Sequence, residues 1–215
     1  MGPSVARMDL SELFRDLEQQ LGTELDLEFR DQLTDEERQR QARLSLRERI
    51  RLMCLPRGIA AREPLAMTLT GGTQLEVSPM THGRDWIAAD VQTSMGLITH
   101  AIIPLAAISS LHPTRAQLAR SLGDPVTRIS RDDEASLHQS KPRLTDQIGV
   151  PYVLRDLARR RKPVEIVVLG SAHDSGQTTS KRGILDRVGS DHVDLLRGER
   201  IEMIPISQLQ LVYLV

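Results

Sequence analysis

The stretch HGRDWIAAD, from His82 to Asp90, and the stretch VGSDHVDLL, from Val188 to Leu196, share one pattern. Each contains glycine, any residue, aspartate, an aromatic or imidazole ring, and then isoleucine or valine. Glycine tolerates a positive φ and an aspartate side chain bonds readily to turn amides, so the pattern predicts a tight turn between two strands. The residues given this structural role are Gly83, Asp85, Gly189 and Asp191.

The two turns belong to two longer blocks that repeat in the same order. Each block follows a charged helical end, opens with an apolar strand after Pro64 or Pro163, and closes on Ile-Pro at Pro104 or Pro205. Three landmarks in one order are poorly explained by chance, so the sequence predicts two copies of one all-β unit. Each block is too short for a sandwich, whereas strongly bent short strands can close a single sheet.

This order of strands and turns resembles the small five-stranded β-barrels of the Sm-like and SH3-like kind. The resemblance implies an α+β fold class, in which N-terminal helices are followed by two repeated small β-barrels. The Sm-type nucleotide pocket, an aromatic residue or histidine followed by asparagine and a later Arg-Gly, is not evident in either copy. The whole chain also resembles an uncharacterised family of actinobacterial proteins, a resemblance that implies this architecture and brings no activity with it.

The sequence is accordingly divided into four parts. These are a helical N-terminal segment at 1–58, a first small β-barrel at 59–112, a linker or extended loop at 113–147, and a helix with the second barrel at 148–215. The final strand LQLVYLV is apolar to its last residue. It must therefore be covered by its own fold, by the sister barrel or by another chain.

Local patterns place the individual elements. Strands are predicted at PLAMTLT, DWIAADV and GLITHAIIPLAAISSL, the last with a break at Pro104, because their apolar residues alternate or run together. IGVPYVLRDLARRRK has apolar residues on one side at helical spacing and basic residues at its end, and therefore predicts a helix.

The N-terminal segment carries a narrow apolar stripe on a heavily charged helix. Such a stripe is typical of helix–helix packing, within one chain or between chains, as in a coiled coil. We therefore expect a homodimer or hetero-complex formed through this segment. The predicted partner-helix face consists of Ala42, Leu46, Ile50 and Met53.

Composition restricts the function classes. The net charge is −1 and only 2% of the 215 residues are aromatic, which argues against a single-strand nucleic-acid platform and against a general attraction to nucleic acid or anionic lipid. Cys54 is the single cysteine, so no internal disulfide is expected. We expect a buried thiol in a reducing compartment instead. Without a long apolar run or a signal peptide, we expect no membrane contact and a cytoplasmic location.

No residue pattern predicts catalysis, a cofactor or a metal. Ser171, His173 and Asp174 are near neighbours in the sequence, whereas the members of a catalytic triad converge from distant positions. The six histidines lack the spacing of metal ligands, and no glycine-rich phosphate motif occurs. We therefore predict a protein that is not an enzyme and has neither cofactor nor metal.

Two functions from different classes remain open. The first is a non-enzymatic adaptor or regulatory module that acts through its helical segment and its β-barrel edges. The alternative is a nucleic-acid-binding regulator of Sm-like type, which would use the one basic cluster to contact phosphate. The same cluster could instead serve the helix C-terminus. The candidate nucleic-acid contacts are Arg159, Arg160, Arg161, Lys162, Lys181 and Arg182.

Overall fold

The computed structural model describes residues 19, 35, 38–39, 41–54, 63–92, 97–122, 144–170 and 178–215. The chain divides into two units, Met1–Leu44 and Ser45–Val215. In the first unit, the described residues up to 43 are helical. Most of the predicted helical segment, most of the predicted linker, and the Ser171, His173 and Asp174 cluster lie outside the described residues.

The second unit contains three described α-helices: α1 at Leu46–Met53, α2 at Arg115–Leu122 and α3 at Val150–Arg159. α1 begins with a capping box, in which the Glu48 carboxylate accepts the Ser45 N–H at 2.8 Å. Hydrogen bonds from the Ser45 hydroxyl and then from its amide hold the pKa of the Glu48 carboxyl below its usual value. α2 lies within the predicted linker region. Among the described residues, no helix combines the length and apolar character needed to cross a membrane.

The described residues form ten strands, which alternate buried and exposed positions over much of their length. They are β1 Leu65–Leu69, β2 Gln74–His82, β3 Trp86–Gln92, β4 Ile98–Pro104, β5 Ile108–His112, β6 Pro163–Leu169, β7 Thr178–Val188, β8 His192–Arg197, β9 Arg200–Pro205 and β10 Leu209–Leu214. A short 3₁₀ helix, Leu105–Ala107 or Ile206–Gln208, follows the proline at the end of β4 and of β9.

The ten strands form one open antiparallel sheet in the order β5-β1-β2-β3-β4-β10-β6-β7-β8-β9. The prediction of two small β-barrels is therefore wrong. The reason is the position of β10, which pairs with β6 of its own half on one side and with β4 of the other half on the other side. The two halves are thus joined edge to edge instead of each closing on itself. Within this sheet, β5-β1-β2-β3-β4 and β10-β6-β7-β8-β9 follow the same internal order.

Two apolar cores are built around this sheet. Ile50 and Met53 of α1 pack into the first, and Leu154 of α3 packs into the second. β10 contributes to both, because Leu211 belongs to the first core and its neighbour Val212 to the second. Successive strand residues point to opposite faces of a sheet, so a strand at the junction can serve both cores.

Candidate interaction site at the sheet edges

The first Gly-x-Asp corner connects β2 to β3 and is held by backbone hydrogen bonds. The Gly83 N–H donates to the Trp86 carbonyl oxygen at 2.8 Å, and the Leu105 N–H donates to the Asp85 carbonyl oxygen at 2.9 Å. The Asp85 carboxylate acts elsewhere, since its Oδ1 accepts the Val150 N–H at 2.8 Å. The N-cap of α3 is a glycine without a side-chain bond, so this distant aspartate caps the helix.

The chain segment that leads into α3 covers this first corner. The Ile148 carbonyl oxygen accepts the Trp86 indole N–H and the Arg84 N–H, each at 2.9 Å. From α1, the Arg47 guanidinium reaches the Gly83 carbonyl oxygen at 3.3 Å. Trp86 is thereby buried between the halves and belongs to the second core.

The second corner connects β7 to β8 with the same backbone geometry. The Gly189 N–H donates to the His192 carbonyl oxygen at 2.9 Å, and the Ile206 N–H donates to the Asp191 carbonyl oxygen at 2.7 Å. Arg155 of α3 donates to the Gly189 carbonyl oxygen at 2.9 Å. The Asp191 side chain is 84% exposed and bonds to the His192 ring, which lowers the pKa of the Asp191 carboxyl. The second corner thus has the same backbone hydrogen bonds as the first, but its aspartate side chain is exposed to solvent.

We expect Asp85→Ala to destabilise the fold by about 1 kcal/mol, because it removes the cap and the favourable negative charge at the start of α3. The matched control is Asp191→Ala, which removes the aspartate of the second corner, whose side chain is exposed. Urea unfolding followed by circular dichroism measures both. Equal midpoints for Asp85→Ala and the wild type would contradict the capping role.

The joint between the two halves is the pairing of β4 with β10. Ile102 lies opposite Val212, and Ala101 lies opposite Tyr213. Ile102 is only 4% exposed and belongs to the core of the second half, although it is carried by the first. Pairing of the strands and burial of this apolar side chain therefore occur together at the joint.

A buried glutamine adds a polar contact to the joint. Gln210 of β10 is 2% exposed. Its Oε1 accepts the Thr70 hydroxyl at 2.9 Å and the Gly71 N–H at 3.0 Å, both from the turn between β1 and β2. A buried polar group is stable when it is hydrogen-bonded, so Gln210 fixes this turn of the first half to the second half.

The two ends of the sheet are β5 and β9, and each has one side without a strand partner among the described residues. β9 is the more apolar of the two edges, since Ile201 is 58% exposed and Met203 is 73% exposed. Unpaired edge strands are sites for pairing with another chain unless charges, prolines or covering segments protect them. Sequence inspection missed these two residues, although both stand in the strand that ends at the second Ile-Pro.

An apolar groove of about 290 Å³ runs beside the opposite edge. Leu46 and Met53 of α1 form one wall, and Ile108 and Leu111 of β5 form the other. Because the groove borders an unpaired edge, a strand added to β5 would bring its side chains next to these apolar walls.

The predicted partner-helix face is divided by the fold. Ile50 and Met53 are buried in the first core, where they are occupied within the chain. Leu46 is 42% exposed and lines the groove beside β5. Ala42 is exposed and belongs to the Met1–Leu44 unit. Leu46 is therefore the residue of this face that can meet a partner at the sheet edge.

The predicted basic cluster is largely matched by acidic side chains. Arg160 lies 2.8 Å from Asp156, and Arg182 lies 2.6 Å from Glu165. Arg161 lies 3.5 Å from Asp186, and Lys181 is paired with Glu202. Arg159 and Lys162 are exposed. Four of the six bases thus share their charge with a carboxylate, which weakens the attraction of this surface for phosphate.

Reactive side chains do not gather among the described residues. Cys54 is buried, and burial raises the pKa of its thiol to about 11, so the thiol is protonated near neutral pH. Within the described ranges, no three histidine, cysteine, aspartate or glutamate side chains are placed to hold a metal ion.

No model of a protein family, no curated protein and no solved structure matches this chain. The geometry of the sheet and its edges is therefore the basis for a functional proposal.

Proposed function

We propose that this protein is a non-enzymatic interaction module of the cytoplasm that binds a polypeptide chain along strand β9. The observation that carries the proposal is the exposed pair Ile201 and Met203 on an edge strand. In β-strand addition, backbone hydrogen bonds supply much of the affinity, and pockets for alternate side chains supply specificity. Ile201 and Met203 are two positions apart, so both side chains point to the same face of the sheet. Both could therefore enter pockets of the bound chain at the same time.

The charged residues of β9 support a protein partner. Glu202 lies between the two apolar residues and is held by Lys181, with Arg197 at 3.5 Å. The hydrogen bond from Lys181 is the main reason that the pKa of the Glu202 carboxyl is lowered. Ile201 and Met203, with the Glu202 carboxylate between them, can select a partner strand that has apolar residues at two alternate positions and a cationic or hydrogen-bond-donating residue between them. The paired state of the basic cluster gives the nucleic-acid alternative no comparable support.

A photoreactive amino acid placed at position 203 of the full chain tests this function in the cells that produce it. We expect illumination to give a covalent adduct with a second polypeptide, because a bound strand would lie within van der Waals distance of that side chain. The control carries the same amino acid at position 144, since Leu144 is 82% exposed and lies on the 3₁₀ helix Leu144–Gln147, outside the ten strands of the sheet. Adducts at both positions in equal amount, or at neither, would refute the proposal.

A further inference from the structure

We infer that the chain that pairs with β9 is a second copy of this protein, whose β5 accepts it in the register of the internal joint. This inference rests on the proposed function and names its partner. The internal joint pairs the fourth strand of one half with the fifth strand of the other. Among the described residues, the two strands with an unpaired side are β9, the fourth strand of the second half, and β5, the fifth strand of the first. A fourth strand and a fifth strand are therefore available at the ends of the sheet, and a fourth and a fifth strand already pair with each other at the internal joint.

The repeat gives the register of the new joint. β4 and β9 end at Pro104 and Pro205, and β5 and β10 begin after equivalent 3₁₀ helices. Counted from these landmarks, Met203 corresponds to Ile102, and Leu111 corresponds to Val212. Because Ile102 lies opposite Val212, Met203 would lie opposite Leu111 of the second copy.

The same register places complementary side chains at the next position. Ala101 lies opposite Tyr213 at the internal joint, and the corresponding residues at the free edges are Glu202 and His112. A carboxylate opposite an imidazole favours the pairing, whereas like charges at directly opposite positions disfavour it. His112 is exposed on β5.

The apolar groove beside β5 lies where the Met203 side chain of a second copy would be placed. At the internal joint, Ile102 is buried in the core that also contains Leu154 and Val212. At the free edge, the corresponding space is the groove between α1 and β5, which is lined by Leu46 and Leu111. Met203 is exposed where Ile102 is buried, and its flexible thioether side chain suits an irregular apolar groove.

The open second corner also fits this assembly. At the internal joint, the start of α3 covers the first corner through the bond from Val150 to Asp85. The corresponding aspartate, Asp191, is exposed, and it lies in the half whose fourth strand is free. In the part of the chain that the structure describes, this end of the sheet therefore has neither the strand pairing nor the covered corner of a completed joint. Since a head-to-tail contact leaves one edge of each kind unpaired, it can repeat into a ring or a filament.

Sedimentation velocity on the purified full chain tests the inference with two blocked variants. Met203→Glu blocks the β9 edge, and the double variant Leu46→Glu/His112→Glu blocks the β5 edge. We expect the wild type to form species larger than a dimer as its concentration rises. Each blocked variant should associate at least about thirtyfold more weakly, because a charge enters an apolar contact. An equimolar mixture of the two should form a heterodimer and nothing larger, since each variant retains one complementary edge.

Leu144→Glu, an equally charged change outside the strands and outside the lining of the groove, is the control and should assemble like the wild type. Circular dichroism and unfolding midpoints establish that all variants fold. A monomeric wild type would overturn the inference, as would a mixture that stays monomeric or a Met203→Glu variant that still self-associates. A monomeric wild type that nevertheless gives a specific adduct at position 203 in cells would overturn the second copy as partner and leave the proposed function standing.

Discussion

A Gly83→Ala variant is expected to lose about 3 kcal/mol of unfolding free energy, because it forces a new methyl group into a filled position. A Cβ atom at residue 83 would lie 2.0 Å from Nε1 and 2.2 Å from Cε2 of Trp86. The indole is 5% exposed and donates to the Ile148 carbonyl oxygen, so it can yield only by leaving both its core position and its hydrogen bond. Urea unfolding followed by Trp86 fluorescence measures the loss, since the chain has no other tryptophan.

The second corner supplies the matched control for this prediction. In Gly189→Ala, the new Cβ would lie 2.5 Å from Cε1 of His192. The His192 side chain is 45% exposed and can rotate toward solvent, so we expect a much smaller loss of stability. If Gly83→Ala and Gly189→Ala lowered the unfolding midpoint equally, the clash with the Trp86 indole would not be the cause of the loss.

Ile102→Ala is expected to destabilise the protein by about 3 kcal/mol, because it leaves a cavity where the two halves meet. Ile102 is carried by β4 but is buried in the core of the second half. Its truncation therefore weakens the joint from inside and should also change the environment of Trp86, which shares that core. Urea unfolding monitored by circular dichroism and by fluorescence reports both effects.

Met203→Ala makes the same kind of change at the corresponding position of the free edge. Met203 is 73% exposed, so we expect the unfolding free energy to change by no more than about 0.5 kcal/mol at concentrations where the chain is monomeric. The contrast between the two variants separates a joint that holds the fold from an edge that is available to a partner. Similar losses in both variants would show that β9 is already covered within the chain.

The local structure of this protein follows from its sequence. The strands predicted at PLAMTLT and DWIAADV correspond to β1 and β3, and the proline break in GLITHAIIPLAAISSL separates β4 from β5. The helix predicted within IGVPYVLRDLARRRK corresponds to α3. These elements depend on the spacing of apolar residues and on proline and glycine, which act over a few positions and are visible in the sequence.

The candidate site was less accessible to prediction. Gly83 and Gly189 were assigned from their spacing, whereas Ile201 and Met203 carried no motif. Their importance depends on exposure, which is decided by the strands and helices that the fold places around a residue and not by the residue type alone. Ile102 and Met203 occupy corresponding positions, yet one is buried and the other exposed.

The sequence by itself determined where several strands lie, the proline break between β4 and β5, and the apolar character of the final strand. It left open whether that strand would be covered by its own fold, by its sister unit or by another chain. Only the tertiary structure decided this, by placing β10 between β6 and β4 and so making one open sheet instead of two closed barrels. The physical reason is that a β-strand can form hydrogen bonds on both of its sides, and the sequence of a strand does not specify which neighbour occupies each side.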